Sequence, residues 1–334
     1  VIEYEVLKNK INSIMESRHC DLKGFFKEMD NYVYSVESKY LIPTIYLISF
    51  KGFGGDVLSD EVLEACFLVE DLHKWSQVLD DMFDNDNKRH GTDTVHVKYG
   101  THNAVMYANL LMANAMLRLT DINEDKRTKI KHTLLECLSD MCYGEKLDIE
   151  TKFYEFNDVD VARKIYRDIV IRKTGGLPKI ASRIGGIMAN NDNYKGMDDY
   201  MEEMAYFGQR CDDIYDFVKK EDIQREPCSD LINEKLTYPY IACLEMESED
   251  YYKKLRKDVI ENKINKQDVI HLLFDIGVVD HMLKSLERDI NKVKEKNIFK
   301  HGIAKEFYDN LPHLFLTKVK NSIIEVIENA KSLS

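Results

Sequence analysis

A single all-helical domain is predicted by three features of this 334-residue chain. Long stretches repeat apolar residues three and four apart, the period of an amphipathic helix. Only five prolines and fifteen glycines interrupt them, too few for the turns of a sandwich or barrel. No alternating strand pattern of useful length, no tandem repeat and no low-complexity linker occurs, so residues 1–334 read as one domain.

The elements follow in order. LSDEVLEACFLVEDLHKWSQVLDDMF, from Leu58, starts at Ser59-Asp60 with acidic residues in its first turn and continues at helical period. HNAVMYANLLMANAMLRL, from His102, is apolar nearly all round, which predicts a central helix. ARKIYRDIVIRKTGGLPKIASRIGGIMA, from Ala162, is expected to break at Gly175-Gly176 and resume, with a kink beside Lys173 and Thr174. MDDYMEEMAYFGQRCDDIYDFVKK, from Met197, is a further amphipathic helix, and the last hundred residues are again helical. Loops are expected at 51–55, 190–196 and 219–234.

Composition narrows the partners. Against 47 basic side chains stand 59 acidic ones, a formal charge of -12, so no general field favours a nucleic-acid backbone. No run of eighteen apolar residues predicts a membrane span. Seven cysteines without a CxxC pair point to reduced thiols in a cytosolic-type compartment. Residue 1 is not methionine, which leaves an upstream targeting segment open.

Chemistry is concentrated in two acidic triads. In Asp80-Asp81-Met82-Phe83-Asp84, offsets 0, 1 and 4 place Asp80 and Asp84 on one helix face with Asp81 beside them. Asp212, Asp213 and Asp216 repeat those offsets. A solvated acidic face would explain either triad alone. Two identical spacings inside apolar helices instead suggest sites for hard cations, and oxygen-only clusters are what magnesium takes alongside phosphate oxygens. Candidate cations for a diphosphate are Lys173 beside Thr174, Lys88 and Arg89 after the first triad, and Lys235 after the second.

The chain resembles the trans-prenyl diphosphate synthases, especially the geranylgeranyl type, over roughly residues 35 to 240. HKWSQVLDDMFDNDNKRHGTDTVHVKYG, from His73, resembles the first aspartate-rich region; RDIVIRKTGGL the lysine-threonine motif; FGQRCDDIYDF the second aspartate-rich motif; and SDLINEKLTYP the segment that closes over the diphosphate. The resemblance implies a class I terpenoid synthase (isoprenoid synthase) fold, an orthogonal bundle around a deep apolar cavity, and a homodimer. It implies Asp80, Asp81, Asp84, Lys173, Asp212 and Asp213 as catalytic residues. Three magnesium ions would be held by Asp80, Asp84, Asp212 and Asp216. Arg89, Lys173, Lys235, Thr174 and Gln209 would bind the allylic diphosphate. Lys39, His73 and His90 would belong to a second diphosphate site. Trp75 and Ser76 stand where the family tunes chain length, and an indole floor would limit the substrate to ten or fifteen carbons.

Several positions depart from the family. Ile42 stands where an arginine is expected, and His90 replaces a second arginine, whose fixed guanidinium fork imidazole does not reproduce. Glu145 stands for a glutamine and Glu234 for a glycine. Loss of two charged hydrogen bonds weakens second-substrate binding by roughly 10²- to 10⁴-fold. The leading expectation is therefore a terpene synthase that ionises a short allylic diphosphate and releases an olefin or alcohol. The alternative is a prenyltransferase making farnesyl or geranylgeranyl diphosphate, with the missing arginines replaced by Lys51, Lys74 or another neighbour. A non-catalytic regulatory subunit is the third reading.

Overall fold

Helical period and helix caps translate directly into the computed structural model, which describes residues 9, 11–18, 22–35, 40–218 and 227–333. The first long helices are α1 (Gly24–Ser35), α2 (Leu41–Gly52) and α3 (Asp60–Phe83). A short antiparallel hairpin follows, β1 (Lys88–Arg89) with β2 (Thr92–Asp93), pairing Arg89 with Thr92. Then come α4 (Val95–Tyr99), α5 (Thr101–Arg118), α6 (Glu124–Glu150), α7 (Val159–Met188) and α8 (Asp198–Tyr215). The remainder is α9 (Ser229–Ile232), α10 (Tyr238–Glu245), α11 (Glu249–Ile260), α12 (Val269–Asp275), α13 (Val278–Glu295) and α14 (Gly302–Leu333). The all-helical expectation holds, and the hairpin is what the sequence reading missed. Its two turn residues, His90 (φ 49°) and Gly91 (φ 79°), are both left-handed, the requirement of a tight two-residue turn.

Local chemistry sets the helix limits. α3 begins after Ser59 with Asp60 and Glu61 in its first turn, where negative charge complements the helix dipole. α7 is capped by Asp158, whose side chain accepts the N–H groups of Asp160 and Val161 at 2.9 and 3.0 Å. The expected break at Gly175-Gly176 does not occur: α7 is one 30-residue helix. Gly176 serves close packing instead. A Cβ at Gly176 would lie 2.2 Å from Met141 Cγ, and one at Gly144 would lie 2.5 Å from the Lys173 nitrogen. α6 and α7 therefore touch backbone to backbone, which delivers Glu145 and Asp148 to Lys173. Pro178, one turn after Thr174, supplies no i→i−4 N–H to the Thr174 carbonyl, yet the helix continues past it.

α2, α3, α7, α8 and α14 contribute to a principal apolar cluster that extends from Ile11 to Ile323. A smaller cluster joins α1, α3, α4 and α5 through Met29, Val33, Val78, Val95 and Tyr107. Between them the buried Asp71 accepts from Arg18 Nε and Arg118 Nε, each at 2.7 Å, and so fixes α3 against α5. The helix from His102 is not central. α5 buries Ala104, Tyr107, Ala108, Leu111 and Ala115 but exposes Val105, Met106, Met116 and Leu117 on its other side. Its apolar residues thus cover two faces, only one of which this chain fills.

Among the described residues six cysteines are free thiols, five of them buried. No helix among the described residues is long and apolar enough to cross a membrane.

Candidate active site

A cavity of about 430 Å³ opens between α2, α3, α6, α7, α8 and α14. That size is in the range of small-molecule sites. Its deeper wall is apolar, with Ile45, Met141, Val170, Leu177, Met204 and Phe315. Its mouth is charged. Seven carboxylates line it, Asp80, Asp84, Glu145, Asp148, Asp212, Asp213 and Asp230, against three fixed cations, Arg89, Lys173 and Lys235.

The cations tie the acidic helices together. Lys173 Nζ, on α7, lies 3.2 Å from Asp80, 2.7 Å from Asp148 and 3.1 Å from Glu145. Lys235 Nζ lies 2.6 Å from Asp84 and 3.4 Å from Asp148. Arg89 Nε donates to Asp81 at 2.7 Å, and its Nη2 lies 3.4 Å from Asp80. Burial alone would lower the Lys173 pKa, but Asp148, Asp80 and Glu145 hold it well above the usual lysine value. Lys235 is raised likewise, against burial, by Asp148, Asp230 and Asp84. Burial raises the Asp80 carboxyl, yet Lys173 and Arg89 keep it below the ordinary aspartate range.

The second triad divides by role. Asp212 is exposed at the mouth. Asp213 is buried and accepts three hydrogen bonds: from Tyr166 Oη at 2.6 Å, the Tyr238 nitrogen at 2.8 Å and Gln209 Nε2 at 2.9 Å. Burial and the nearby Asp230 push its pKa up to about 7, although those hydrogen bonds favour the ionised form. Thr174 Oγ1 donates to Gln209 Oε1 at 2.8 Å, linking α7 to this arrangement.

Several expected residues stand elsewhere. Asp216 does not line the cavity. Its carboxylate accepts the N–H groups of Ser229 and Asp230 at 3.2 and 3.1 Å, at the start of α9. Asp216, expected as a metal ligand, thus stands beside the cavity lining, while Asp230 is part of it. Asp81 faces away from the large cavity and lines a smaller cleft with Lys74, Arg89 and His90; burial raises its pKa to about 6. His90 is exposed in the hairpin turn. His73 lines the large cavity and its Nδ1 lies 3.1 Å from Glu70. Lys39 lies outside the described residues.

Trp75 is not the cavity floor. It packs into the smaller apolar cluster, whereas Ser76 and Gln77 line the cavity. Ile42 does line it, so an apolar side chain stands where the resemblance calls for an arginine.

Asp148, Asp230 and Tyr166 were not singled out by sequence reasoning. Tyr166 had a signal, since it precedes Lys173 by seven residues and so shares its helix face.

No three acidic, histidine or cysteine side chains among the described residues close into a ready cage. The donor set still fits a hard divalent cation, because the mouth offers oxygen ligands, with seven carboxyl groups against three fixed cations.

Solved structures show the fold. The chain superposes on a geranylgeranyl pyrophosphate synthase with a TM-score of 0.79 and 20% identity, covering 92% of this chain and 95% of that one. A polyprenyl synthase from Caulobacter crescentus, solved with calcium and isoprenyl diphosphate, gives 0.77 and 19%, covering 94% and 95%. The class is thus the all-α isoprenoid synthase fold.

Sequence relatives narrow it further. A short chain isoprenyl diphosphate synthase of Methanocaldococcus jannaschii is 30% identical over 79% of this chain and 81% of its own length. A geranylgeranyl diphosphate synthase of Sulfolobus acidocaldarius is 28% identical over 80% and 81%. The family model described as Polyprenyl synthetase matches residues 23–276, and the chain belongs to that family. These relatives are named for prenyl-chain synthesis, which favours the prenyltransferase alternative; none of them supports the leading expectation of a terpene synthase.

Proposed function

We propose that this protein is a magnesium-dependent prenyltransferase, condensing an allylic prenyl diphosphate with isopentenyl diphosphate to give farnesyl or geranylgeranyl diphosphate. The observation that carries this reading is the mouth of the cavity, where Lys173, Lys235 and Arg89 converge with the carboxylates above an apolar chamber. Asp80, Asp84 and Asp212 would hold the three ions that the family resemblance implies. Magnesium held by these carboxylates would neutralise charge on the departing diphosphate. Lys173, Lys235 and Arg89 bind the same oxygens and orient the allylic carbon toward the chamber. The apolar wall excludes water as the carbon–oxygen bond breaks, so the allylic cation meets the alkene of the second substrate. The alkene's π electrons form the new carbon–carbon bond and leave a cation on the neighbouring carbon, which loses a proton from the adjacent carbon to the released diphosphate and so restores a double bond.

Incubation with a ten- or fifteen-carbon allylic diphosphate and magnesium tests it. A longer diphosphate formed only with isopentenyl diphosphate is the expected result; a hydrocarbon or alcohol from the allylic substrate alone would overturn it. One observation favours this second outcome, ionisation without condensation, and that is Ile42 in the cavity wall.

The missing arginines have one well-placed substitute. Lys51 is committed to Asp56, contacting its carbonyl at 2.9 Å and its carboxylate at 3.0 Å on the surface. Lys74 is buried and lines the smaller cleft with Arg89 and His90; Gln77 and Arg89 border both that cleft and the large cavity. Lys74 is proposed to serve the second diphosphate with His73 and His90. K74M is then expected to raise the KM for isopentenyl diphosphate about tenfold, the worth of one charged hydrogen bond, with the allylic KM unchanged. Unchanged steady-state constants for both substrates would remove Lys74 from the site.

A homodimer is proposed through α5. Val105 and Met116, like Met106 and Leu117, are eleven residues apart and share a face, and all four are exposed. Light scattering is expected to give twice the 39.1 kDa chain mass, and M106E/L117E to give the single chain.

A further inference from the structure

Lys235 owes its place to the residue before it, and that residue is in an unfavourable conformation. Glu234 has φ 64°, in the left-handed region that glycine enters freely and glutamate does not. Its backbone is engaged on both sides: the N–H reaches the Leu231 carbonyl at 3.3 Å, and the Glu234 carbonyl accepts from the Phe153 nitrogen at 3.0 Å. The Lys235 nitrogen donates to the Asp230 carbonyl at 3.0 Å, and Lys235 pairs with Lys152 across a bridge. The side chain of Glu234 is held from a separate helix. Arg256, on α11, places Nη2 2.7 Å from Glu234 Oε1 and donates from the same nitrogen to the Ile232 carbonyl at 3.2 Å.

One guanidinium thus grips both ends of the turn that precedes Lys235, the carbonyl of residue 232 and the carboxylate of residue 234. Lys152 adds a bond from Nζ to the Asn233 carbonyl at 3.2 Å. Strained backbone persists where its surroundings over-determine it, and here the determining contact comes from outside the loop. The outcome is Lys235 Nζ set between Asp84 and Asp148 at the cavity mouth.

We propose that Arg256 is a positioning residue that latches the Glu234 turn and thereby aims Lys235 at the diphosphate, replacing the intrinsic left-handed preference that a glycine would bring. This rests on the reading of Lys235 as a diphosphate ligand. Arg256 touches no substrate and acts through the backbone conformation of residues 232–235.

Titration of each full-length variant with inorganic diphosphate in the presence of magnesium tests the latch, with thermal melting as a control for folding. R256A is expected to weaken inorganic diphosphate about tenfold, because a misaimed ligand loses affinity out of proportion to its displacement. E234G is expected to bind as the unaltered protein does, since glycine needs no latch. In the E234G background, R256A is expected to have no further effect, and this dependence is what an ordinary structural role for Arg256 would not produce. An R256A that binds normally, or one that is equally harmful in both backgrounds, overturns the latch. K235A separates the premises. If K235A weakens binding and R256A does not, the latch alone falls; if K235A binds as the unaltered protein does, the reading of Lys235 falls and the proposal with it.

Discussion

Alanine at Asp80 is expected to lower kcat roughly 10³-fold while leaving the protein folded, the scale seen when a group aimed at developing charge is removed from a closed site. Asp80 projects from the last turn of α3 into the cavity mouth, where it contacts both Lys173 and Arg89. Its side chain is about one-third exposed, so its loss opens no sealed core. Lys173 keeps Asp148 and Glu145 as partners, which limits the structural consequence to the mouth. Steady-state turnover of an allylic diphosphate with isopentenyl diphosphate, together with circular dichroism, reads both halves. A variant within tenfold of the parent would remove Asp80 from the catalytic set.

Asp213 is expected to behave oppositely. D213A should lower folding stability by about 3 kcal/mol, because the Tyr166 hydroxyl, the Tyr238 N–H and the Gln209 amide all lose their buried acceptor. D213N keeps one carbonyl oxygen in place and should cost about 1 kcal/mol, leaving part of the set satisfied. Denaturant unfolding of the two variants compares them. Equal losses, or an unchanged midpoint for D213A, would contradict the account of Asp213 as an internal acceptor. The two aspartates thus separate loss of turnover from loss of structure within one pair of motifs.

How much of this was legible depended on how local the cause was. Helical offsets correctly put Asp80 and Asp84 on one face, and both line the cavity, because α3 runs regularly to Phe83. The same reasoning failed at Asp216. The offset from Asp212 is identical, and Asp216, like Asp84, stands one residue past its helix, but its side chain answers to backbone N–H groups of residues 229 and 230. No helical periodicity contains that later turn. Trp75 was misread although its spacing carried the answer: five residues correspond to about 140° around the helix from Asp80. The partners of Lys173 were hidden for another reason. Asp148 comes from the preceding helix, and only the close approach at Gly144 and Gly176 brings it within 2.7 Å.

The apparent continuity of apolar residues in α5 was also misleading. Apolar residues on all sides of a helix can mean two different burials, one inside the chain and one between chains, and the sequence pattern is the same for both. The glycine pair of α7 illustrates the complementary case. It read as a break, but packing of α7 against α6 carries the helix through.

The paired lysines at the mouth carry a thermodynamic consequence. On the proposed function, Lys173 and Lys235 are occupied by the carboxylates that would hold magnesium, and those carboxylates by the ammonium groups that would bind diphosphate. Either ligand, on arriving, releases the set that receives the other. Such an exchange is reciprocal, so the factor by which magnesium tightens diphosphate must equal the factor by which diphosphate tightens magnesium. The resting ion pairs therefore make the mouth a mutual gate, reluctant toward each ligand alone and receptive to the two together.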